Sequence, residues 1–283
     1  MLKVAIQGVA GCFHHQAASQ YFGDTAAIEP VECDTFDQVI DHVASDRRAL
    51  GIMAIENTIA GPLLRNHELL RSGDVTITGE CRMRISHCLA ALPGQTVADI
   101  QQVNSHSMAL MQCEDFLLSP RNPRWRMTEV FDTAGAARDI AAAGTRHVAA
   151  VCSAYAARLY GLDVLASAIE TNKHNFTRFL VICNGAVMRD PEQTPDKASM
   201  AFTLPHTQGA LSSVLAILSF YGLNLSKIQS MPIIGREWEY RFYIDVTFTD
   251  YPRYRAALQA VLPLLGDFRL LGEYRASATP AAD

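Results

Sequence analysis

The run Asn172-Lys173-His174-Asn175-Phe176-Thr177-Arg178-Phe179 is the densest stretch of polar and aromatic side chains in the chain. It leads into the apolar segment Leu180 to Cys183, and together these predict a strand from Phe176. On that strand Arg178 shares a face with Phe176 and Leu180, while Thr177 shares the other with Phe179. An arginine in so apolar a strand needs an anion beside it. The anion is either an internal carboxylate, such as Glu56 or Glu170, or a carboxylated ligand. A second polar group, Glu56-Asn57-Thr58, closes the apolar run Leu50–Ile55 and precedes Gly61. It reads either as a strand-to-helix turn capped by Asn57 or Thr58, or as hydrogen-bonding groups on a cleft rim. Ser105, His106 and Gln112 occupy an equivalent place after the short strand Val103–Ser105; His106 alone reads as a half-buried structural histidine. Gly8-Val9-Ala10-Gly11 follows the first strand, and its backbone amides could hold a carboxylate or simply form a tight turn. The third glycine of a dinucleotide fingerprint is missing, since position 13 is Phe.

These residues need elements to hold them. Strands are predicted at Leu2–Gln7, Ile28–Val31, Leu50–Ile55, Val75–Glu80, Met83–Ala91, Val103–Ser105 and Phe176–Cys183, and helices at Phe13–Phe22, Thr35–Ser45, Ser107–Leu118, Thr133–Ala143 and Ser153–Tyr160. This order predicts an α/β fold with a mostly parallel sheet covered on both faces. Ligands in such sheets lie beyond the carboxyl ends of the strands, which directs attention to the positions just after Gln7, Ile55 and Val103. Gly185 to Lys197, with Asp190-Pro191-Glu192-Gln193-Thr194-Pro195-Asp196 at its centre, reads as a linker. It separates residues 1–185 from residues 198–275, and the small residues from Ala276 to Asp283 read as a loose tail. The second part has the order βαββαβ, over Ala198–Leu204, Gly209–Tyr221, Leu225–Ile234, Tyr240–Thr249, Pro252–Leu265 and Phe268–Arg275. That is the ferredoxin-like unit, an antiparallel sheet with two helices on one face.

Composition narrows the function. The chain has 283 residues, of which 49% are hydrophobic and 19% charged, with a net charge of −5. A folded protein follows, without a broad electrostatic grip on nucleic acid. No apolar run reaches the roughly 18 residues of a membrane helix, and the N-terminal apolar run is too short for a signal peptide, so a cytoplasmic location is expected. Seven scattered cysteines include no CxxC pair, and the nine histidines include no HExxH. Neither a disulfide framework nor a metal site is expected.

Taken together the segments resemble the prephenate dehydratase family from Lys3 to about Tyr274. The resemblance rests on Gly8 to Ala18, Ile55-Glu56-Asn57-Thr58 with Gly61, and His87-Cys88-Leu89-Ala90-Ala91-Leu92-Pro93-Gly94. It continues through Ser105-His106 with Ala109 to Cys113, Asp132-Thr133-Ala134-Gly135-Ala136-Ala137, and Asn175-Phe176-Thr177-Arg178-Phe179. It implies a catalytic region of two lobes around a cleft, like periplasmic binding proteins, with lobes of about 1–82 plus 161–185 and 83–160. It implies the conversion of prephenate to phenylpyruvate, with no cofactor because aromatisation supplies the driving force. The family's threonine-arginine-phenylalanine motif falls on Thr177, Arg178 and Phe179, with Thr177 essential. Its Glu-Asn pair falls on Glu56 and Asn57, Thr58 stands where serine is usual, and its cleft serine and glutamine fall on Ser105 and Gln112. Substrate contacts are thus expected at Asn57, Thr58, Ser105, Gln112, Asn175, Arg178 and Phe179. Thr177 is expected to donate a hydrogen bond to the departing hydroxyl, and Glu56 to supply the proton if burial raises its pKa. Arg178 either binds a substrate carboxylate or braces the strand.

The C-terminal unit resembles the ACT domain, an amino-acid-sensing module. Its Gly-Ala-Leu-Ser motif is intact at Gly209, Ala210, Leu211 and Ser212, and its second effector motif reads Gln229-Ser230-Met231-Pro232. L-Phenylalanine is the expected effector, and a homodimer or homotetramer through this domain the expected assembly. Two alternatives carry weight: an arogenate dehydratase, whose substrate has an amino group in place of the keto oxygen, and a catalytically silent sensor. Because the resemblance begins at residue 3, a fused chorismate mutase is not expected.

Overall fold

A computed structural model describes residues 1–23, 26–185 and 194–277. Most of the expected linker and residues 278–283 of the tail lie outside the described residues. The chain begins with β1 (Leu2–Gln7), α1 (Phe13–Phe22), β2 (Ile28–Cys33), α2 (Phe36–Ser45), β3 (Leu50–Asn57), β4 (Gly61–Pro62), α3 (Leu64–Ser72) and β5 (Val75–Arg84). Local chemistry sets these boundaries: Thr35 Oγ1, for example, accepts from Gln38 N at 3.3 Å and opens α2. The chain then crosses once into β6 (Cys88–Ala91), β7 (Gln102–Ser105), α4 (Ser107–Gln112), α5 (Glu114–Leu117), β8 (Arg126–Glu129), α6 (Thr133–Ala143), β9 (Val148–Cys152), α7 (Ala154–Leu159) and β10 (Asp163–Ala166). Asp132 caps α6, its Oδ1 accepting from Gly135 N at 2.8 Å. It returns along β11 (Phe176–Asn184) and continues as β12 (Lys197–Thr203), α8 (Ala210–Phe220), β13 (Asn224–Pro232), β14 (Tyr240–Thr247), α9 (Tyr251–Val261) and β15 (Gly266–Tyr274).

Two crossings, β5 to β6 and β10 to β11, divide the N-terminal part into two lobes, each with its own sheet. The second sheet has the order β10-β6-β9-β7-β8. The expected lobe boundary at residue 161 therefore moves: β10 pairs antiparallel with β6, Asp163 opposite Ala91, and belongs to the second lobe. The sheets are also mixed rather than mostly parallel. In the first lobe β1 runs parallel to β2 and β3, but β11, arriving from the other lobe, lies antiparallel between β3 and β5. The helix expected over Ser107–Leu118 is broken at Cys113 into α4 and α5.

The C-terminal unit has the expected βαββαβ order and the antiparallel strand order β13-β14-β12-β15. Its sheet is not separate. β15 joins β5 in parallel, so one ten-stranded sheet runs through both the first lobe and the C-terminal unit. At this junction Gly272 faces Ile77, and a Cβ on Gly272 would lie 2.2 Å from the Ile77 carbonyl oxygen. Only glycine permits that approach. The alternation in β14 sorts its two faces. Ile244 and Val246 pack into the core beneath α8 and α9, whereas Tyr243 joins the core shared with the first lobe, through Ile55, Leu70 and Ile77.

Candidate active site

Cross-strand register decides which side chains meet. β11 lies against β3 with Thr177 opposite Asn57 and Arg178 opposite Glu56, so successive residues place these two pairs on opposite faces. On the cleft face Asn57 is the organising residue. Its Oδ1 accepts from the backbone amides of Ile59 at 2.9 Å and Ala60 at 2.8 Å. Backbone N–H groups can only donate, which fixes the other end of this amide as the donor. Asn57 Nδ2 then donates to Thr177 Oγ1 at 2.8 Å, to Asn175 Oδ1 at 2.7 Å and to Phe176 O at 3.2 Å. Because Thr177 Oγ1 is an acceptor here, its own proton remains available to a ligand. Asn175, fully buried, uses its remaining end on Gln112, its Nδ2 donating to Gln112 Oε1 at 3.1 Å. Strands of the first lobe, the returning hinge segment and α4 of the second lobe are thereby joined in one hydrogen-bonded row.

The opposite face holds a buried ionic cluster against the C-terminal unit. Arg178 Nε donates to Glu80 at 2.6 Å, Nη1 to Asp245 at 2.6 Å and Glu56 at 3.3 Å, and Nη2 to the Tyr274 hydroxyl at 3.0 Å. Lys197 Nζ donates to Glu80 at 2.8 Å, and Lys227 Nζ to Glu56 at 2.5 Å. Two expectations change as a result. Glu56 is not placed to act as an acid: it points away from Thr177. Burial pushes its pKa up, but Lys227 and Arg178 outweigh burial and hold the carboxyl below its ordinary value. Arg178 meets internal carboxylates, not a substrate; it braces the lobe against the C-terminal unit. Among the described carboxyls with a shifted pKa, Asp132 is the one held above its ordinary value, because no cation outweighs its burial, and it lies in the second lobe, its Oδ2 within 2.8 Å of where a Cβ on Gly8 would stand.

Other expected contacts are also structural. Thr58 Oγ1 donates to His174 O at 2.8 Å and accepts from Phe176 N at 2.9 Å, zipping the ends of β3 and β11. Ser105 is fully buried, its Oγ donating to Val151 O at 2.6 Å. Phe179 is buried, with the His14 ring edge-on at 5.2 Å. His106 is exposed and caps α4, its Nδ1 accepting from Met108 N at 3.2 Å. In the glycine loop, the amides of Ala10 and Gly11 already donate to Glu32 and His15, at 2.6 and 3.0 Å, so the loop is a turn and not an anion cradle. Thr177 and Gln112 remain as the groups with hydrogen-bonding capacity on the cleft, and Asn57 and Asn175 as the residues that position them. The ionic cluster escaped the sequence reading because its charged members come from six strands; a lysine opening the apolar strand Lys197–Thr203 was the available signal.

In the C-terminal unit Gly209 is the N-cap of α8 with φ +82°, and its carbonyl accepts from Ser212 Oγ at 2.9 Å and Ser213 Oγ at 3.0 Å. Ala210 and Leu211 form the first turn of α8, half-buried. Gln229 and Ser230 lie near the end of β13. Thr203 and Met231 both register with Arg241 of β14, so the two expected effector segments leave the same end of the sheet.

The family model for prephenate dehydratase matches residues 4–186. Arogenate dehydratase 5 of Arabidopsis thaliana is 34% identical over 299 residues, covering 99% of this chain and 68% of its own length. The crystal structure of prephenate dehydratase from Arthrobacter aurescens in complex with L-Phe superposes with a TM-score of 0.83 at 27% identity, covering 99% of this chain and 92% of that one. A structure described as GqqA, a novel type of quorum quenching acylase, gives a TM-score of 0.85 at 30% identity, covering 97% and 98%. With its two-lobed cleft, its C-terminal βαββαβ unit and a family match over most of the N-terminal part, the chain belongs to the prephenate dehydratase family.

Proposed function

We propose that this chain catalyses the decarboxylative dehydration of prephenate to phenylpyruvate, as a carbon–oxygen lyase of phenylalanine synthesis. The observation that carries the reading is the fixed polarity of the Asn57–Thr177 contact, which leaves the Thr177 proton for the cleft. Loss of carbon dioxide releases the electron pair that restores ring aromaticity and expels the hydroxyl group. A hydrogen bond from Thr177 to that departing oxygen stabilises charge as it develops, and the free N–H groups of Gln112 are suited to a substrate carboxylate. The plant relative supports a second reading, arogenate as substrate. An acylase reading is not supported by the site. The Thr177 hydroxyl accepts from an amide, and among the described residues no histidine or carboxylate hydrogen-bonds it to make it a nucleophile.

L-Phenylalanine is proposed as effector at Gly209 to Ser212 with Gln229 and Ser230, supported by the L-Phe complex of the Arthrobacter protein. Assembly as a homodimer or homotetramer through this unit belongs to the same proposal. So does a cytoplasmic location, supported by seven free cysteines. No described helix is long and apolar enough to cross a membrane. The test is to incubate the purified chain with prephenate and, separately, arogenate, following ultraviolet absorbance of phenylpyruvate or phenylalanine with and without L-phenylalanine. Turnover of prephenate is expected; turnover of arogenate alone would move the assignment, and turnover of neither would leave a sensor.

A further inference from the structure

We infer that His87 is a positioning residue of this site: its Nε2–H locks the side-chain amide of Gln112 so that both Gln112 N–H donors face a substrate carboxylate. The inference rests on the dehydratase reading of the cleft. It follows from the same fixed polarity, carried in the other direction. Because the amides of Ile59 and Ala60 make Asn57 Oδ1 an acceptor, Asn57 Nδ2 donates, so the Asn175 atom it meets must be the oxygen. Asn175 therefore presents its nitrogen to Gln112, and the Gln112 atom there must be the oxygen. His87 Nε2 lies 3.1 Å from that same oxygen, so it must carry the proton. Two backbone amides thus determine, through three side-chain amides, the tautomer of a histidine in the other hinge strand.

The surroundings of His87 hold the ring in that role. The residue is 2% exposed and sits in the β5–β6 crossing, its backbone N–H donating to Glu170 Oε2 at 2.9 Å. The Phe13 ring meets it edge-on at 5.3 Å and 88°. Its Nδ1 is buried with no hydrogen-bond partner, as fits a ring whose single proton is on Nε2. Burial lowers its pKa and keeps it uncharged, so it adds no cation of its own. With both lone pairs of Gln112 Oε1 taken, the amide cannot flip without facing two donors with a third. Gln112 is half-buried, and its Nε2, which has no protein partner among the described hydrogen bonds, is left as a fixed pair of donors.

The experiment compares His87→Phe, which keeps an aromatic ring against Phe13 but deletes the donor, with His87→Gln, which retains an N–H. Wild-type turnover of prephenate or arogenate is established first, since its absence would refute the dehydratase reading itself. With the better substrate, His87→Phe is expected to raise KM about 10-fold or more while kcat stays within about 3-fold, the pattern for a lost uniform-binding contact to a charged group. His87→Gln is expected to recover most of that loss. In a double-mutant cycle, His87→Phe should add less than about 2-fold to the KM of Gln112→Ala, because its effect passes through Gln112. An unchanged KM in His87→Phe, or an undiminished effect in the Gln112→Ala background, would overturn the inference. Should His87→Phe not fold, His87→Leu enters the same cycle with the same outcomes.

Discussion

Replacing Arg178 by methionine separates a brace from a substrate ligand. The guanidinium is 5% exposed and meets Asp245 at 2.6 Å, Glu80 at 2.6 Å and Glu56 at 3.3 Å. After Arg178→Met, Glu80 keeps Lys197 at 2.8 Å and Glu56 keeps Lys227 at 2.5 Å. Asp245, with a side chain 7% exposed, would retain hydrogen bonding from the Ser199 hydroxyl at 2.5 Å but lose its direct ion pair. A buried charge left without its partner costs about 3–5 kcal/mol. At about 2–4 °C per kcal/mol for chains of this size, the melting temperature should fall by roughly 6–20 °C. Calorimetry or circular dichroism at pH 7 reads this directly, and adding Asp245→Asn should recover part of the loss by removing the stranded charge. A melting temperature within about 2 °C of wild type, together with a raised KM, would show that Arg178 holds substrate and refute the brace.

Three further outcomes follow from the same geometry. Thr177→Ala should lower kcat about 10²–10³-fold, the scale for one transition-state donor, while Thr177→Ser, which keeps the hydroxyl, retains most activity; equal loss in both would assign Thr177 to packing. Gly272→Ala should destabilise the chain by about 1–3 kcal/mol through overpacking at the β15–β5 junction, where its Cβ would meet the Ile77 carbonyl at 2.2 Å, and unchanged denaturant unfolding would contradict that contact. Glu56, Glu80 and Asp245 all have lowered pKa values, because Lys227, Arg178 and Lys197 outweigh the opposing effect of burial. Their stabilisation is complete above the ordinary carboxyl values near about 4 and is lost as pH falls through the lower folded values. Melting temperature should thus drop steeply below about pH 4, and the drop should shrink in Glu56→Gln.

Much of the site was legible as residue types. Thr177, Asn57 and Gln112 were expected on the cleft, and the alternation rule already separated Thr177 from Arg178. What sequence could not supply was the partner strand's register. Glu56 was expected on the cleft beside Asn57, yet adjacent residues on a strand point to opposite faces, and pairing with β11 decided which face each pair took. The same holds for Ser105 and Thr58: a hydroxyl at a strand end looks available until the neighbouring carbonyl that consumes it is known.

By itself the sequence determined the α/β region, the βαββαβ unit and the family, because hydrophobic period and motif order are properties of contiguous residues. Tertiary structure alone decided that the two units share one sheet and that a buried ionic cluster joins them. It also decided that β10 belongs to the second lobe and that His87 stands at the end of the Asn57 row. Those contacts span from 25 residues of chain, between His87 and Gln112, to well over 100, between Ile77 and Gly272. Charges and hydrogen bonds act over a few ångströms, so their partners exist only once the strands have been laid side by side.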